Sequence, residues 1–200
     1  MNKGRPREFD TQEALSKAIL VFWEKGYRGT SLDDLTEAME INRPSLYSAF
    51  GDKQQLFLMA VDQYRDRYIV PVVRKLLTCE NLRDGLTEFF RSMVSLLVEG
   101  DTPAGCMIAC LLSSDCLETE EIRNKLSESI AASDAAFTKL FEKHRKELKR
   151  SVEPIDAARL LTSNMHGISI RARSGASKRS LLQIGETLIT VLVRSELRVR

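Results

Sequence analysis

Apolar residues recur at helical spacing along nearly the whole chain, and this pattern constrains the fold more than any other feature of the sequence. No segment shows the alternation of apolar and polar residues that is typical of a half-buried strand. The first apolar stripe lies between an N-cap at Asp10 and a stop at Gly26, and it consists of Leu15, Ala18, Ile19, Phe22 and Trp23. We therefore predict an all-α fold.

Short helices come first in the chain and longer helices follow. Ser31, Asn42 and Asp52 are placed to cap a second, third and fourth helix, and Pro71 should end or kink the fourth. The longer helices are predicted at residues 82–99, 105–114, 119–148, 154–174 and 178–195. We place the domain boundary near residue 53, so that residues 1–53 form an arm with three helices and residues 54–200 form a helical bundle.

Composition indicates a globular protein but does not indicate its partner. A hydrophobic share of 43% and a charged share of 29% are typical of a globular chain, and the formal charge of +2 at pH 7 is too small to indicate a partner. The chain has neither an apolar run of about 18 residues nor the apolar core of a signal peptide. We therefore expect a cytoplasmic protein without a membrane span. Four cysteines without a regular spacing predict reduced thiols.

The segment INRPSLYSAF, residues 41–50, is a short helical segment with almost no charge. Only Glu40 and Ile41 separate the helix that Asn42 caps from the preceding short helix. Two helices joined so closely predict a helix-turn-helix. The second helix of such a motif can enter the DNA major groove. Leu46 and Phe50 are spaced to face inward and hold that helix on its domain.

The outward face of the same helix lacks acidic residues, as a phosphate-lined groove requires. It consists of Arg43, Pro44, Ser45 and Ser48. Arg43 can donate a bidentate pair to guanine O6 and N7, and the Pro44 ring can contact a thymine methyl group. The alternative is a solvated helix in a plain bundle.

Residues 30–57, TSLDDLTEAMEINRPSLYSAFGDKQQLF, closely resemble the DNA-binding signature of TetR-family transcriptional regulators, with Tyr47, Phe50 and Lys53 at the expected spacings. The resemblance implies a homodimer on a palindromic DNA operator, and a C-terminal domain, residues 54–200, that holds an inducer and the dimer interface. It implies phosphate contacts by Thr30, Tyr47 and Lys53. Glu40 stands where the family usually has glycine, so we expect it to be left-handed at a cost of about 1 kcal/mol.

The basic arm before the first helix contains Arg5 and Arg7 on either side of Pro6. This Gly-Arg-Pro segment resembles minor-groove hook motifs, and an extended arm can insert arginine into a narrow A·T-rich groove. The alternative is a tail that attracts DNA without entering a groove.

Cys106 and Cys110 lie four residues apart on one predicted helical face. Three interpretations stay open, namely small apolar packing, a sensor of oxidants or electrophiles, and a metal sensor. The Gly105-Cys106 pair resembles a branch of the TetR family in which some members sense reactive species through cysteine. The family resemblance also implies an inducer pocket, for which the candidates, otherwise plain core residues, are Phe89, Met93, Cys106, Met107, Cys110, Phe137, Met165 and His166.

The last two predicted helices carry apolar stripes wide enough for both a core and a partner chain. The resemblance implies that they pair across a two-fold axis, and the candidate dimer residues are Leu161, Asn164, Gly167, Ile168, Arg171, Leu182, Leu188 and Ile189. We predict a ligand- or redox-responsive regulator, a repressor, with no cofactor and no metal. An activator and a helical module that binds no DNA are the alternatives. An enzyme is not expected, because Cys106, His166 and Asp115 are accompanied by no oxyanion loop.

Overall fold

The computed structural model describes residues 9–100 and 102–194, and these residues are helical with no β-strand. The prediction of an all-α fold is confirmed. The α-helices are α1 (Thr11–Gly29), α2 (Leu32–Met39), α3 (Arg43–Phe50), α4 (Lys53–Tyr64), α5 (Val70–Leu77), α6 (Leu82–Val98), α7 (Ser113–Asp115), α8 (Glu120–Lys143), α9 (Pro154–Arg173) and α10 (Lys178–Leu192). Two π-helical segments, Arg65–Ile69 and Met107–Leu112, precede α5 and α7.

The chain divides into two compact units after Arg65. The first unit therefore extends past residue 53 and includes α4. This helix packs on α1 through aromatic side chains. The ring centres of Phe22 and Phe57 lie 5.0 Å apart, and those of Trp23 and Tyr64 lie 4.8 Å apart. Gly26 has a φ of 74°, so the regular part of α1 ends there as predicted.

The sequence predicts that Pro71 ends or kinks the fourth helix, whereas α4 already ends at Tyr64. The π-helical segment Arg65–Ile69 follows α4 directly, and α5 begins with Pro71 in its first turn. A proline is tolerated in a first turn because its missing N–H has no intrahelical partner there. The change to π geometry before Pro71 lets one helix give way to the next.

The core of the second unit is apolar and aromatic. The Phe89 ring centre lies 5.6 Å from that of Phe90 and 6.0 Å from that of Phe137, with the rings close to perpendicular. α10 packs closely on α6 at Gly185, where an added Cβ would lie 2.5 Å from Cγ of Phe90. A side chain at Gly185 would therefore force these two helices apart.

Three helix boundaries differ from prediction. The segment predicted as helix 105–114 is the π-helical turn Met107–Leu112, with Cys106 extended in front of it. α8 ends at Lys143 and not at 148, and α10 ends at Leu192 and not at 195. Beyond both ends an isolated antiparallel bridge joins Leu148 to Val193, and the Arg194 N–H donates to the Glu147 carbonyl at 2.9 Å. Within the described ranges, no helix combines the length and apolarity that a membrane crossing demands.

Candidate nucleic-acid interface

Helix α2 is held at both of its ends by hydrogen bonds. At the start of α2, Ser31 Oγ accepts from the Asp34 backbone N–H at 3.0 Å, and Asp34 Oδ2 accepts from the Ser31 N–H at 2.8 Å. At its end Glu40 has φ 56° and ψ 38°, which confirms the predicted left-handed conformation. The Glu40 carboxylate lies 2.8 Å from Lys17 Nζ in α1. That hydrogen bond lowers the pKa of the Glu40 carboxyl.

α3 presents one anchoring face and one exposed face. The Asn42 side chain accepts from the Ser45 backbone N–H at 2.8 Å and so caps the helix. Leu46 and Phe50 are buried and attach α3 to the first unit. The residues of the other face are exposed, apart from a partly exposed Ser45, and they are Arg43, Pro44, Tyr47 and Ser48. This is the division of faces that the spacing predicts.

Arg43 is held by an acidic residue that the sequence did not point to. Its Nη2 lies 2.7 Å from Oδ1 of Asp33 in α2, and both side chains are exposed. The hydrogen bond that Arg43 donates to Asp33 raises the pKa of the Arg43 guanidinium. The face of α3 itself lacks acids, but α2 contributes one beside it. The Asp33 carboxylate therefore competes with a base for the donors of this guanidinium.

Two of the predicted phosphate contacts are available on the surface, and the third is not. Tyr47 is 49% exposed, and Lys53 Nζ lies 4.4 Å from the centre of the Tyr27 ring, a cation–π contact that orients the ammonium. Thr30 is buried, and its hydroxyl donates to the Gly26 carbonyl at 2.6 Å. The prediction for the Thr30 side chain is therefore corrected, since its hydroxyl closes the end of α1. Arg5 and Arg7 lie outside the described residues.

Comparison with known proteins agrees with this geometry. Residues 14–60 match the family model of bacterial regulatory proteins, tetR family. Over 192 residues the chain is 32% identical to the HTH-type transcriptional repressor ComR of Escherichia coli strain K12, a match that covers 94% of this chain and 91% of ComR. The chain belongs to the TetR family. It is thus a transcriptional regulator with a helix-turn-helix in its N-terminal part.

Two further relatives match nearly the whole length of this chain. The HTH-type transcriptional repressor BdcR of Escherichia coli strain K12 is 26% identical over 193 residues, which is 94% of each chain. The TetR family transcriptional regulator CifR is 31% identical, in the structure of a cysteine mutant complexed with 26-bp double-strand operator DNA. That match has a TM-score of 0.85 and covers 93% of this chain and 98% of CifR.

The predicted pocket residues of this TetR-family chain lie mainly in its core. Phe89, Met93, Cys106, Met107 and Phe137 are buried, whereas Cys110, Met165 and His166 are partly exposed. A groove of about 540 Å³ lies elsewhere, between α5 and α8, and its lining residues are Leu77, Ala132, Ala135, Ala136, Lys139, Leu140 and Lys143. The structure therefore brings none of the predicted pocket residues to the wall of this groove.

Cys106 and Cys110 sit in tightly packed surroundings. A Cβ added at Gly105 would lie 2.9 Å from the Ser169 carbonyl oxygen and 3.1 Å from Cys110 Sγ. Burial raises the pKa of the Cys110 thiol, and the neighbouring Cys106 raises it further. Burial likewise lowers the pKa of His166. A raised thiol pKa disfavours the reactive thiolate, so these surroundings favour the packing interpretation of the pair.

The predicted dimer residues divide into two groups. Leu161, Ile168, Leu188 and Ile189 are buried within the single chain, and their place at an interface stays a prediction. Asn164, Gly167, Arg171 and Leu182 are at least partly exposed. Four large apolar residues are exposed on α9 and α10, namely Ile155 at 40%, Leu160 at 46%, Ile170 at 55% and Val191 at 50%, and none of them is among the eight candidate dimer residues.

Proposed function

We propose that this chain is a transcriptional repressor that binds a palindromic DNA operator as a homodimer, with α3 in the major groove. The observation that carries the proposal is the exposed face of α3, which bears Arg43, Pro44 and Ser48 above the buried anchors Leu46 and Phe50. The names of ComR and BdcR as repressors, and the operator complex of CifR, support it.

The side chains of the exposed face suit distinct parts of the DNA. The Arg43 guanidinium can move from Asp33 to O6 and N7 of guanine and so read a base. The hydroxyl of Tyr47 and the ammonium of Lys53 are suited to phosphate oxygens, which set the position of the protein without reading sequence. The contact between Lys53 and the Tyr27 ring holds that ammonium in place before DNA arrives.

The exposed apolar side chains of α9 and α10 form the proposed dimer surface. Leu160, Ile170 and Val191 supply the apolar area. Gly167 has open space in place of a side chain, because an added Cβ there would meet no atom within 4 Å, so a partner helix can approach closely. A two-fold axis through this surface matches a palindromic operator, whose half-sites lie about 34–36 Å apart or a multiple of that distance.

In this proposal residues 1–53 bind DNA, and residues 54–200 respond to a small molecule or to thiol modification. An effector acts by binding more tightly to a conformer in which the two α3 helices are wrongly spaced for the operator. A tenfold loss of DNA affinity requires a differential binding free energy of only about 1.4 kcal/mol.

The test is the binding of purified protein to DNA from upstream of its own gene, measured by fluorescence anisotropy against non-specific competitor DNA. Arg43→Ala should weaken specific binding by about 5- to 150-fold for each half-site, the loss expected for one bidentate base contact. Arg91→Ala is the matched control, because Arg91 is exposed and paired with Glu88 at 3.0 Å but lies on α6. Its affinity should be unchanged.

Salt dependence separates the two kinds of contact. Lys53→Ala should reduce the slope of log K against log salt by about 1 for each half-site, whereas Arg43→Ala should lower affinity at an almost constant slope. Equal binding of operator and competitor DNA would refute the proposal in favour of a module that does not read sequence. A reporter gene that falls silent when the protein is removed would instead identify an activator.

A further inference from the structure

Three polar side chains of the second unit form a hydrogen-bonded chain that no part of the proposed function uses. Cys79, just after α5, has its Sγ 3.8 Å from Nε2 of His144 at the end of α8. Nδ1 of the same imidazole lies 2.6 Å from Oε1 of Glu147, whose Oε2 accepts from the Leu82 backbone N–H at 2.7 Å. His144 is only 5% exposed, whereas Cys79 is partly exposed.

The partners of the imidazole fix where its proton lies. The ionised Glu147 carboxylate only accepts hydrogen bonds, so Nδ1 of His144 carries the proton and donates it. Nε2 is then the free lone pair, and it faces the Cys79 thiol. Burial raises the pKa of that thiol, although the Lys143 ammonium opposes the effect, so the thiol keeps its proton at neutral pH. A thiol in this state needs a base before it can act as a nucleophile.

The Cys79 side chain packs closely against α6 at Gly85. A Cβ added at Gly85 of α6 would lie 2.6 Å from Cys79 Sγ, so the absence of a side chain there makes space for the thiol. Lys143 lines the groove between α5 and α8, and its Nζ also donates to the Cys79 carbonyl at 3.0 Å. Leu77, two residues before the cysteine, lines the same groove. The groove therefore passes near the backbone of Cys79, whose partly exposed side chain does not itself line it.

We propose that Cys79, His144 and Glu147 form a site at which a soft carbon electrophile, of the α,β-unsaturated carbonyl class, adds to the Cys79 sulfur. The sulfur forms a bond to the β-carbon, the carbon–carbon π bond breaks, and its electron pair moves to the enolate. His144 Nε2 takes the thiol proton and returns it to the α-carbon. The addition needs no oxidant and expels no leaving group. Glu147 is a positioning residue, because it holds the imidazole in the required tautomer.

A metal site is a poorer account of the same three residues. Cys79 and Glu147 contact opposite nitrogens of one imidazole, so a single ion cannot bind all three. A purely structural role is the remaining alternative, since Glu147 also ties the start of α6. The two accounts differ in what His144 does to the rate of thiol addition.

The test uses N-ethylmaleimide as the electrophile and intact-protein mass to follow labelling. In a variant that retains only Cys79, with the other cysteines changed to serine, His144→Gln should slow labelling at least about tenfold, since a positioned general base contributes about 10²–10⁴-fold. Glu147→Gln should slow it less. Unchanged or faster labelling of His144→Gln, as expected if the imidazole only fills space over the thiol, would overturn the proposal.

The unsubstituted chain gives a second measurement if these variants fail to fold. Cys110 is a matched internal control, because it is also partly exposed and burial also raises the pKa of its thiol. Peptide mapping after brief exposure to N-ethylmaleimide should show Cys79 labelled before Cys110. Labelling of Cys110 first would contradict the proposal. Neither measurement involves DNA, so the result for this site is independent of the test of the repressor function.

Discussion

Glu40 offers a test of how the helix-turn-helix is held together. Its φ of 56° and ψ of 38° place an ordinary L-residue in the left-handed region, which costs about 1–2 kcal/mol relative to glycine. Glycine in turn makes the unfolded chain more flexible, which costs about 0.4–1 kcal/mol. Glu40→Gly should therefore raise the free energy of unfolding by about 0.5–1 kcal/mol through the backbone alone.

The same substitution removes the ion pair with Lys17, so a second variant is needed. Both side chains of this pair are substantially exposed, and exposed pairs contribute little. Glu40→Gln removes the charge but keeps the Cβ at the left-handed position. The difference between the glycine and glutamine variants therefore isolates the backbone contribution.

Urea unfolding followed by tryptophan fluorescence measures this difference in the right part of the molecule. Trp23 is the one tryptophan of the sequence, and it is buried against Tyr64 in the first unit. Its emission therefore reports the unit that contains the turn. If the glycine variant is no more stable than the glutamine variant, at equal m-values, the argument from backbone strain is refuted.

Other substitutions test the DNA face, the core and the dimer surface. Asp33→Asn should strengthen operator binding by a few-fold in fluorescence anisotropy, because it releases Arg43 and removes a negative charge near the phosphates. Weaker binding would show that Asp33 positions Arg43 for the DNA. Gly185→Ala should lower the free energy of unfolding by up to about 2 kcal/mol in urea, because overpacking against Phe90 outweighs the gain in helix propensity. Ile170→Glu should shift the dimer to monomer in light scattering, while Leu117→Glu, at a more exposed site outside α9 and α10, should leave it intact.

Local sequence signals predicted the helix starts well. The Asp52 side chain accepts from the Gln55 backbone N–H at 2.8 Å, and the Gln55 side chain accepts from the Asp52 N–H at 3.2 Å, as the capping pattern indicates. The inward positions of Leu46 and Phe50 followed from helical spacing alone. These features depend on residues within a few positions of each other, so the sequence contains all the information that they require.

Features that depend on packing between elements were missed. The pair of Arg43 with Asp33 forms only because α2 and α3 meet at a particular angle. The bridge between Leu148 and Val193 joins segments that are distant in the chain. For the apolar stripe of α9, spacing does not say which side faces inward, and Leu161 is buried while Leu160 is exposed.

The surroundings of the cysteines also depend on packing between distant elements, which the local sequence does not contain. The regular spacing of Cys106 and Cys110 attracts attention in the sequence, yet packing surrounds both and the Cys110 thiol has a raised pKa. Cys79 belongs to no motif, because its base is contributed by His144, 65 positions away. Burial raises the thiol pKa at Cys79 as well, so the raised pKa does not distinguish the two sites. The difference is the imidazole of His144, whose Nε2 lies 3.8 Å from the Cys79 sulfur. Reactivity at this position is therefore a property of the folded second unit and is absent from the local sequence.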